Sequence, residues 1–385
     1  MIVLLVCSAF ALLAWLGMLV APQQAHRLRE WLDADAEAPA DLSAVTVVIP
    51  ARDEADVIGR TVTALAAQGR GLDAIVVDDQ SSDGTAAAAM NAAAVDRAVL
   101  ALRVLRGEPL PSGWAGKLWA LEQGLRLVDR PFVLLLDADI ELASRFVPTL
   151  LREAQRRSAS LVSIMAELHC AAFWERLLTP AFVFFFKLLY PFAWSNDPRR
   201  RTAAAAGGCM LVRTDALRAI GGFAAIRGAL IDDCTLAAAL KRAAPPIWLG
   251  VSRSVRSLRA YPALGDFWAM VSRSAFTQLR YSTVLLLLTS VLMLVVLLAP
   301  VAAVVAALPG GGATPALVGA AAWLAMGAAY FPVIRFYRLH SLWALTLPLA
   351  AVLFLAMTWT SAFGYWRGSH ASWKNRSYDR SLAQH

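Results

Sequence analysis

Four stretches of the chain are almost entirely apolar, and each is long enough to cross a bilayer as a helix. They cover residues 1–20, 282–308, 315–334 and 341–365, and a spanning helix needs about 20 such residues. The first stretch lacks the basic start and the small-residue exit of a cleaved signal peptide. We therefore predict a retained transmembrane anchor at residues 1–21 and about three transmembrane helices within residues 282–366.

Between the first and second stretches, short apolar runs alternate with segments of helical periodicity. The runs that we interpret as buried strands are residues 45–49, 75–77, 102–105 and 132–136. After the first run, Val57, Ile58 and Leu65 fall on one face of a helix. This alternation predicts an α/β domain at residues 44–262, with a mostly parallel sheet flanked by helices.

Other segments complete the predicted organisation. We expect an acidic linker at residues 22–43, an amphipathic helix lying on the bilayer at residues 263–281, and a basic tail at residues 367–385. Residues 176–194 are aromatic and apolar but are interrupted by Lys187 and two prolines. We interpret that segment as interfacial, with a fifth transmembrane helix as the alternative.

Acidic pairs occur where the predicted strands end. These pairs are Asp53 with Glu54, Asp78 with Asp79, and Asp137 with Asp139. The carboxyl ends of parallel strands share one edge of the sheet, where open α/β sheets bind ligands. Asp137 and Asp139 point the same way in extended backbone, so together they can hold a divalent cation that also binds a phosphate. A turn or a helix cap explains any single pair equally well, but the repetition favours a binding site.

Three further features follow the same pattern. Lys117 begins a predicted helix, which is unfavourable for a cation unless it faces an anion such as a diphosphate; a surface lysine is the alternative. Asp232 and Asp233 lie in the first turn of a later helix, where the dipole favours carboxylates. Paired glycines at 207–208 and 221–222 indicate special turns or close backbone approach.

The positive charge of the chain is best explained by a membrane. The net charge is +8 and 58% of the 385 residues are hydrophobic. Basic residues cluster beside the membrane segments, as at 199–201 and 273–280, so anionic lipid fits them better than nucleic acid. Arg27 and Arg29 follow the anchor, which predicts a cytoplasmic location for the domain. The basic tail conflicts with that rule, so its side and the exact number of spans stay open.

Several function classes lack their sequence signatures. Neither G-x-G-x-x-G nor G-x-x-x-x-G-K-[ST] occurs, which disfavours dinucleotide-dependent redox enzymes and P-loop nucleotide hydrolases. The four cysteines have no metal-site spacing, so we interpret them as reduced thiols. The apolar spans contain essentially no charges, which disfavours a transporter.

Taken together, the motifs resemble those of family 2 glycosyltransferases with the GT-A fold. The segments VVIPARDE, VVDDQSSDGT, LLLDADI and GGCMLVR, followed by D-D-x-x-L from Asp232, occur in that family's order across residues 45–240. The anchor, the C-terminal spans and the WKNRSY segment are most similar to the hopanoid-biosynthesis-associated group of membrane-bound lipid glycosyltransferases. The family's Q-x-x-R-W signature occurs only in the altered form TQLRY, which argues against a processive polysaccharide synthase.

The resemblance implies a role for each matching residue. Glu54 and Asp79 would hold the uridine of a UDP-sugar, and Asp233 would be the general base. Asp137 and Asp139 would coordinate Mg²⁺ or Mn²⁺ at the diphosphate. Further donor contacts are implied for Pro50, Arg52 and Lys117, and on a weaker match for Arg280.

We therefore expect an inverting, metal-dependent glycosyltransferase of the bacterial inner membrane, acting at the cytoplasmic face. It would move a sugar from a UDP-sugar to a membrane lipid, a hopanoid if the subgroup resemblance holds. The alternative is a polyprenyl-phosphate glycosyltransferase that makes a lipid-linked sugar carrier; a nucleotidyltransferase and a non-catalytic binding module are more distant alternatives. The sequence leaves open the sugar, the acceptor hydroxyl, the choice between Mg²⁺ and Mn²⁺, and the oligomeric state.

Overall fold

The computed structural model describes residues 1–21, 26–94, 100–244, 246–307, 312–368, 372–373 and 376–377. The chain divides into two compact units. We call Arg29–His169 and Trp194–Ala260, with the residues after Ser369, the sheet unit. We call Met1–Leu28, Cys170–Ala193 and Tyr261–Ser369 the helical unit.

Within the described residues, eight strands form the main sheet. They are β1 Val45–Ala51, β2 Leu72–Asp78, β3 Leu100–Arg106, β4 Phe132–Leu136, β5 Ile140–Leu142, β6 Leu161–Glu167, β7 Cys209–Arg213 and β8 Ile247–Ser257. Their order is β3-β2-β1-β4-β7-β6-β8-β5. The first four are parallel, whereas β7 is antiparallel to both of its neighbours. The α/β fold expected from the apolar runs is therefore confirmed.

The strand order creates a crevice between β1 and β4. From β1 the chain proceeds to β2 on one side, and β4 is added on the other side. Helices that follow strands on opposite sides of such a point diverge, and they leave a ligand-binding space at the carboxyl ends of the strands. The acidic motifs after β1 and β4 lie at that edge.

Helices connect the strands and form the helical unit. They are α1 Ile2–Val20, α2 Ala55–Ala66, α3 Thr85–Ala94, α4 Gly116–Leu125, α5 Phe146–Arg157, α6 Phe173–Leu189, α7 Phe192–Asn196, α8 Thr214–Ala219, α9 Asp232–Ala243, α10 Leu264–Ser272, α11 Ala275–Gln278, α12 Thr283–Met293, α13 Ala299–Ala307, α14 Ala313–Phe336 and α15 Leu347–Trp366. A π-helical turn at Leu294–Leu298 joins α12 to α13, and short 3-10 helices occur at Gly222–Ile226 and Ser341–Thr346. The two-residue strands β9 Ser372–Trp373 and β10 Arg376–Ser377 pair with each other.

Both faces of the central strands β1 and β4 are buried, which explains why these strands are almost continuously apolar. Val47 and Ile49 of β1 pack with α2, α3 and α5 in one core cluster. Val48, between them, packs with α4, α8 and α9 in a second cluster on the opposite face. Successive side chains of a strand point to opposite faces, so a strand covered on both sides buries the side chains of both faces and favours apolar residues throughout.

Strand β1 extends one residue beyond the proline at which we expected it to stop. Ala51 accepts a hydrogen bond from Asp79 of the β2 side, so the adjacent Pro50 faces the β4 side. Pairing between β1 and β4 has already ended at Val48. The missing N–H of Pro50 therefore costs no bond in the ladder.

The helical unit contains the predicted spans. In the described part of the chain, four helices are long and apolar enough to cross a membrane: Ile2–Val20, Thr283–Ala307, Ala313–Phe336 and Ser341–Trp366. The first packs against α13 and α14. The Trp15 indole N–H also donates to the Val296 carbonyl in the π-helical turn, at 3.0 Å. These helices match the four apolar stretches of the sequence.

The segment Cys170–Ala193 belongs to the helical unit, although our predicted domain at 44–262 included it in the α/β domain. Phe184 of α6 lies 5.2 Å from the ring of Tyr330, and Phe185 lies 5.3 Å from that of Phe354. A helix that is apolar on most sides must be buried on most sides. Helix α6 meets that need by packing among other apolar helices, and its interfacial placement stays a prediction.

The predicted amphipathic helix at 263–281 is divided into α10 and α11. In a continuous helix, the N–H of Phe276 would bond to the carbonyl of Ser272. Instead it donates to the Ser361 hydroxyl of α15, at 3.1 Å. This tertiary bond replaces a local one and interrupts the helix near Ser274.

The described part of the predicted linker is bound to the sheet unit. The Asp33 carboxylate accepts hydrogen bonds from the Ser252 hydroxyl and from the N–H groups of Arg253 and Ser254. The sheet unit accordingly begins at Arg29 and ends at Ala260, instead of at the predicted 44 and 262. All four cysteines are free thiols, as predicted. Most of the predicted tail lies outside the described residues.

A glycine in α4 allows this helix to lie directly on β1. A Cβ atom at Gly124 would be 2.4 Å from Cγ1 of Val48, a buried β-branched side chain with little rotational freedom. We expect Gly124→Ala to lower the free energy of unfolding by about 1–3 kcal/mol. Thermal unfolding followed by circular dichroism in detergent measures the change.

Gly59 provides the matched control, because a Cβ there meets no atom within 4 Å. Gly59→Ala in α2 should leave stability unchanged or raise it by up to about 1 kcal/mol through helix propensity. Equal melting temperatures for the two variants would contradict close packing at Gly124.

Candidate active site

Hydrogen bonds and an ion pair connect the loops that follow β1 and β2 at the carboxyl edge of the sheet. Arg52 donates to the backbone carbonyl of Asp79, and its guanidinium lies 3.8 Å from the Asp79 carboxylate. Asp53 accepts from the N–H of Ser82 at 2.9 Å and has a φ of 50°. A non-glycine residue persists in that left-handed region when its surroundings hold it there. These contacts therefore fix the conformation of both loops.

Glu54 lies at the N-cap position of α2, but its side chain does not cap the helix. Its backbone N–H is held by the Thr85 hydroxyl at 2.9 Å. Its carboxylate accepts instead from Nη2 of Arg259, at 2.5 Å. The helix-cap interpretation of Glu54 is therefore wrong, and the carboxylate has a tertiary role.

Asp137 and Asp139 both lie at this edge, and each contacts a different cation. The Asp137 N–H donates to the carbonyl of Gly208 at 3.0 Å, which anchors the turn after β4. The Asp137 carboxylate lies 2.8 Å from Nζ of Lys117. The Asp139 carboxylate accepts from Nε of Arg259 at 2.8 Å. Opposite charges thus compensate two carboxylates that are only two residues apart.

Burial raises the pKa of Asp137 above its usual range. The positive charge of Lys117 opposes this effect, whereas the nearby charge of Asp139 adds to it. Burial by itself would lower the pKa of Lys117, but the carboxylates of Asp137 and Asp232 outweigh burial and raise it. The lysine therefore stays charged and is a permanent cation at this edge.

Lys117 also connects the strand edge to α9. Its Nζ lies 3.5 Å from the Asp232 carboxylate. A Cβ atom at Gly207 would lie 3.4 Å from both Lys117 Nζ and Asp233 Oδ2. Gly207, one of the paired glycines noted in the sequence, therefore lies close to both charged groups, whereas Gly208 faces Ile140.

Asp233 has the properties of a base that works near neutral pH. Burial raises its pKa to about 7, and the negative charge of Asp232 adds to the shift. The N–H of Cys234, the charge of Lys117 and the backbone of Gly207 act in the opposite direction. The side chain is half-buried, so a reacting group can reach it. A carboxylate that titrates near 7 can accept a proton efficiently at physiological pH.

The two carboxylates at 137 and 139 suit a hard divalent cation. Within the described residues, no group of three or more histidine, cysteine, aspartate or glutamate side chains could form a complete protein site. Mg²⁺ and Mn²⁺ commonly bind one or two carboxylates and complete their coordination with phosphate oxygens and water. The residues therefore fit a cation that is held jointly with a diphosphate.

Contacts and neighbouring charges bring most of the predicted site residues together in one cluster at this edge. Its members are Glu54, Lys117, Asp137, Asp139 and Asp233. Arg52 and Asp79 form a separate ion pair in the loops after β1 and β2. Pro50 is buried within β1 and contributes no polar group. Arg280 belongs to the helical unit, between α11 and α12, so its suggested donor contact stays a prediction.

The altered signature TQLRY contributes contacts inside the helical unit. Gln278 accepts a hydrogen bond from the Tyr190 hydroxyl at 2.8 Å. The Tyr281 ring stacks on Tyr365 with 4.4 Å between centroids. Gln278 and Tyr281 of the altered signature are therefore engaged in contacts within the helical unit.

Arg259 is a residue of the cluster that the sequence analysis missed. It lies just beyond β8, outside every motif, and more than a hundred residues after both of its carboxylate partners. The only sequence signal is a charged residue after a strand, the same signal that identified the aspartates. We did not recognise that strand from its apolar pattern.

Comparison with known families identifies the class of enzyme. The family described as "Glycosyltransferase like family 2" matches residues 42–274, which is more than half of the chain. The chain belongs to this family. It is therefore a glycosyltransferase, and the predicted family, enzyme class and GT-A fold are confirmed. Comparison with curated protein sequences gave no match.

Several solved structures are similar to this glycosyltransferase. The mannosyltransferase PcManGT from Pyrobaculum calidifontis, in complex with GDP-Man and Mn²⁺, is 18% identical with a TM-score of 0.51, over 91% of this chain and 99% of that one. Glucosyl-3-phosphoglycerate synthase from Mycobacterium tuberculosis, with Mn²⁺ and UDP-Glc, is 17% identical with a TM-score of 0.39, over 65% and 87%. TarS from S. aureus is 15% identical with a TM-score of 0.40, over 60% and 39%. At this identity, the first comparison supports the fold alone.

Proposed function

We propose that this glycosyltransferase transfers a sugar from a UDP-sugar to a membrane lipid, with inversion at the anomeric carbon. The observation that carries the proposal is the cluster of Lys117, Asp137, Asp139 and Asp233 at the crevice of a GT-A fold. Lys117 contacts Asp137 and Asp232, so a donor bound at Asp137 and a base at Asp233 would lie close to each other. The four long apolar helices in the same chain support an acceptor that stays in the bilayer.

The donor would lie across the ends of β1, β2 and β4. Glu54 and Asp79 would bind the nucleoside, with Arg52 holding the second loop in place. Asp137 and Asp139 would hold Mg²⁺ or Mn²⁺, which supplies positive charge for the departing diphosphate when bound. Lys117 would add a second cation next to the same phosphates and would orient the diphosphate as leaving group.

The acceptor hydroxyl would approach from the side of α9. Asp233 would remove its proton as the oxygen attacks the anomeric carbon. A single base acting opposite the leaving diphosphate gives inversion in one step. Asp232 would keep the pKa of Asp233 high enough for efficient proton transfer. The positive charge of Lys117 would partly offset the repulsion between these two carboxylates.

The acceptor class rests on the helical unit and on the subgroup resemblance. Arg27 and Arg29 after the anchor support a cytoplasmic position for the sheet unit. A hopanoid is the acceptor that the resemblance to hopanoid-associated glycosyltransferases suggests. A hydroxylated lipid whose ring system lies in the bilayer would expose its hydroxyl to the aqueous side, where a base could deprotonate it.

Replacement of the base should separate chemistry from binding. We expect Asp233→Asn to lower the rate of transfer by at least about 10²-fold, because no group then accepts the proton. UDP binding measured by calorimetry should stay close to wild type. Transfer at the wild-type rate would show that Asp233 is not the base.

The pH profile provides the control. Asp233 is active when ionised, so kcat/KM should fall as the pH drops below about 7. Asp232→Asn removes a charge that raises this pKa, so the acidic limb should move to lower pH while transfer persists. An acidic limb that does not move in this variant would contradict the coupling of the two aspartates.

Removal of divalent cations should abolish transfer. We expect activity to be lost in EDTA and restored by excess Mn²⁺ or Mg²⁺, because the diphosphate then regains its counter-charge. Asp139→Asn should raise the metal concentration needed for half-maximal rate. Full activity of cation-free enzyme would remove the role proposed for Asp137 and Asp139.

The acceptor can be identified with purified enzyme in vesicles. We expect radiolabelled sugar from UDP-sugars to enter hopanoid-containing vesicles, with release of UDP. Labelling of polyprenyl phosphate alone would establish the carrier-lipid alternative, and release of pyrophosphate would indicate a nucleotidyltransferase. A matched panel of GDP-sugars tests which nucleotide the sugar donor must carry. Lipid analysis of a deletion strain then identifies the missing glycolipid.

A further inference from the structure

Arg259 occupies a fixed position beside the proposed metal site. Strand β8 pairs with β5 up to Ser257, which lies opposite Ile140. The next N–H, that of Leu258, donates to the carbonyl of Asp139 at 2.7 Å. Backbone pairing by itself therefore brings Arg259 to the same edge of the sheet as Asp139.

The guanidinium of Arg259 bridges two carboxylates from different strand ends. Its Nε donates to Asp139 Oδ2 at 2.8 Å, and its Nη2 donates to Glu54 Oε1 at 2.5 Å. The side chains of Asp139 and Glu54 are only 15% and 12% exposed, against 34% for Arg259. Charge-assisted bonds of this kind are stronger in a partly buried setting than at an exposed surface.

This bridge connects the two halves of the proposed donor site. Glu54 lies on the nucleoside side and Asp139 on the diphosphate side. A divalent cation that binds Asp139 must compete with a guanidinium that is already in place. Removing a partner from a partly buried ion pair leaves an uncompensated charge, which is costly. Without the donor, the net free energy that favours binding of the cation to Asp139 is therefore small.

Resting on the function proposed above, we propose that Arg259 is a positioning residue that acts as the resident counter-ion of Asp139. It disfavours the divalent cation until the donor arrives. The donor diphosphate supplies new negative charge and so offsets the loss of the Arg259–Asp139 contact, while Glu54 retains the guanidinium. Metal and nucleotide then bind cooperatively, and their coupling passes through Arg259.

The test measures Mn²⁺ binding to the metal-free, full-length enzyme in detergent, with and without UDP. The electron paramagnetic resonance signal of free Mn²⁺ reports binding without any turnover. In the wild-type enzyme, UDP should strengthen Mn²⁺ binding markedly. In Arg259→Gln, we expect Mn²⁺ alone to bind about tenfold more tightly than in wild type, and the effect of UDP to shrink by a similar factor.

Arg256 offers a matched control three residues earlier, within β8. It pairs with Glu167 at 3.4 Å, and neither residue belongs to the proposed site. Arg256→Gln removes the same charge from the protein, so it should bind Mn²⁺ as wild type does. Tighter Mn²⁺ binding in both variants would indicate a general electrostatic effect and would overturn the specific role of Arg259.

Arg259→Lys provides a second measure if the glutamine variant does not fold. A lysine is a point charge without the planar fork that spans two carboxylates. We expect its Mn²⁺ affinity without UDP to lie between those of wild type and the glutamine variant, and above wild type in any case. Mn²⁺ affinity that is unchanged or weaker in a folded variant, judged by circular dichroism, would overturn the inference.

The wild-type enzyme and Asp139→Asn separate this failure from failure of the proposed function. If both bind Mn²⁺ equally with UDP present, Asp139 is not a metal ligand and the proposed metal site is wrong. If Asp139→Asn weakens Mn²⁺ binding but Arg259→Gln leaves it unchanged, the metal site stands. Only the counter-ion role of Arg259 is then rejected.

Discussion

The concentration of carboxylates at one edge of the sheet is the constraint on which the rest of the site depends. Glu54, Asp79, Asp137, Asp139, Asp232 and Asp233 converge there, partly shielded from water. Left alone, such groups would repel one another or become protonated. Arg52, Lys117 and Arg259 lie among them and offset part of this repulsion. The site is thus organised around three positive charges.

The fold makes this arrangement possible through close approach. Gly124 lets α4 lie against β1, and α4 begins with the turn that carries Lys117. Gly207 lies beside both that lysine and Asp233. The close packing at Gly124 therefore positions the helix that brings Lys117 to the strand edge. The reach of one flexible side chain then connects the proposed donor and acceptor sides.

The division of the chain into two units shows how apolar surface governs segment placement. The chain leaves the sheet unit at Cys170, returns at Trp194, and leaves again at Tyr261. Helix α6 finds partners for its aromatic side chains among the long apolar helices α1, α14 and α15. A helix packed on the sheet would have apolar partners on one side only. A continuous sequence range is therefore a poor description of either unit.

Local patterns in the sequence were sufficient for the spans, the first strands and the acidic motifs. Each depends on neighbours within a few residues: an apolar run, a two-residue spacing, a charge after a strand. The break between α10 and α11 depends on Ser361, and the partner of Asp139 is Arg259, which follows β8. The raised pKa of Asp233 likewise arises from burial and from charges that the fold assembles. Tertiary structure decided these features because a side chain's charge and hydrogen bonds depend on what lies near it in space, which sequence separation does not reveal.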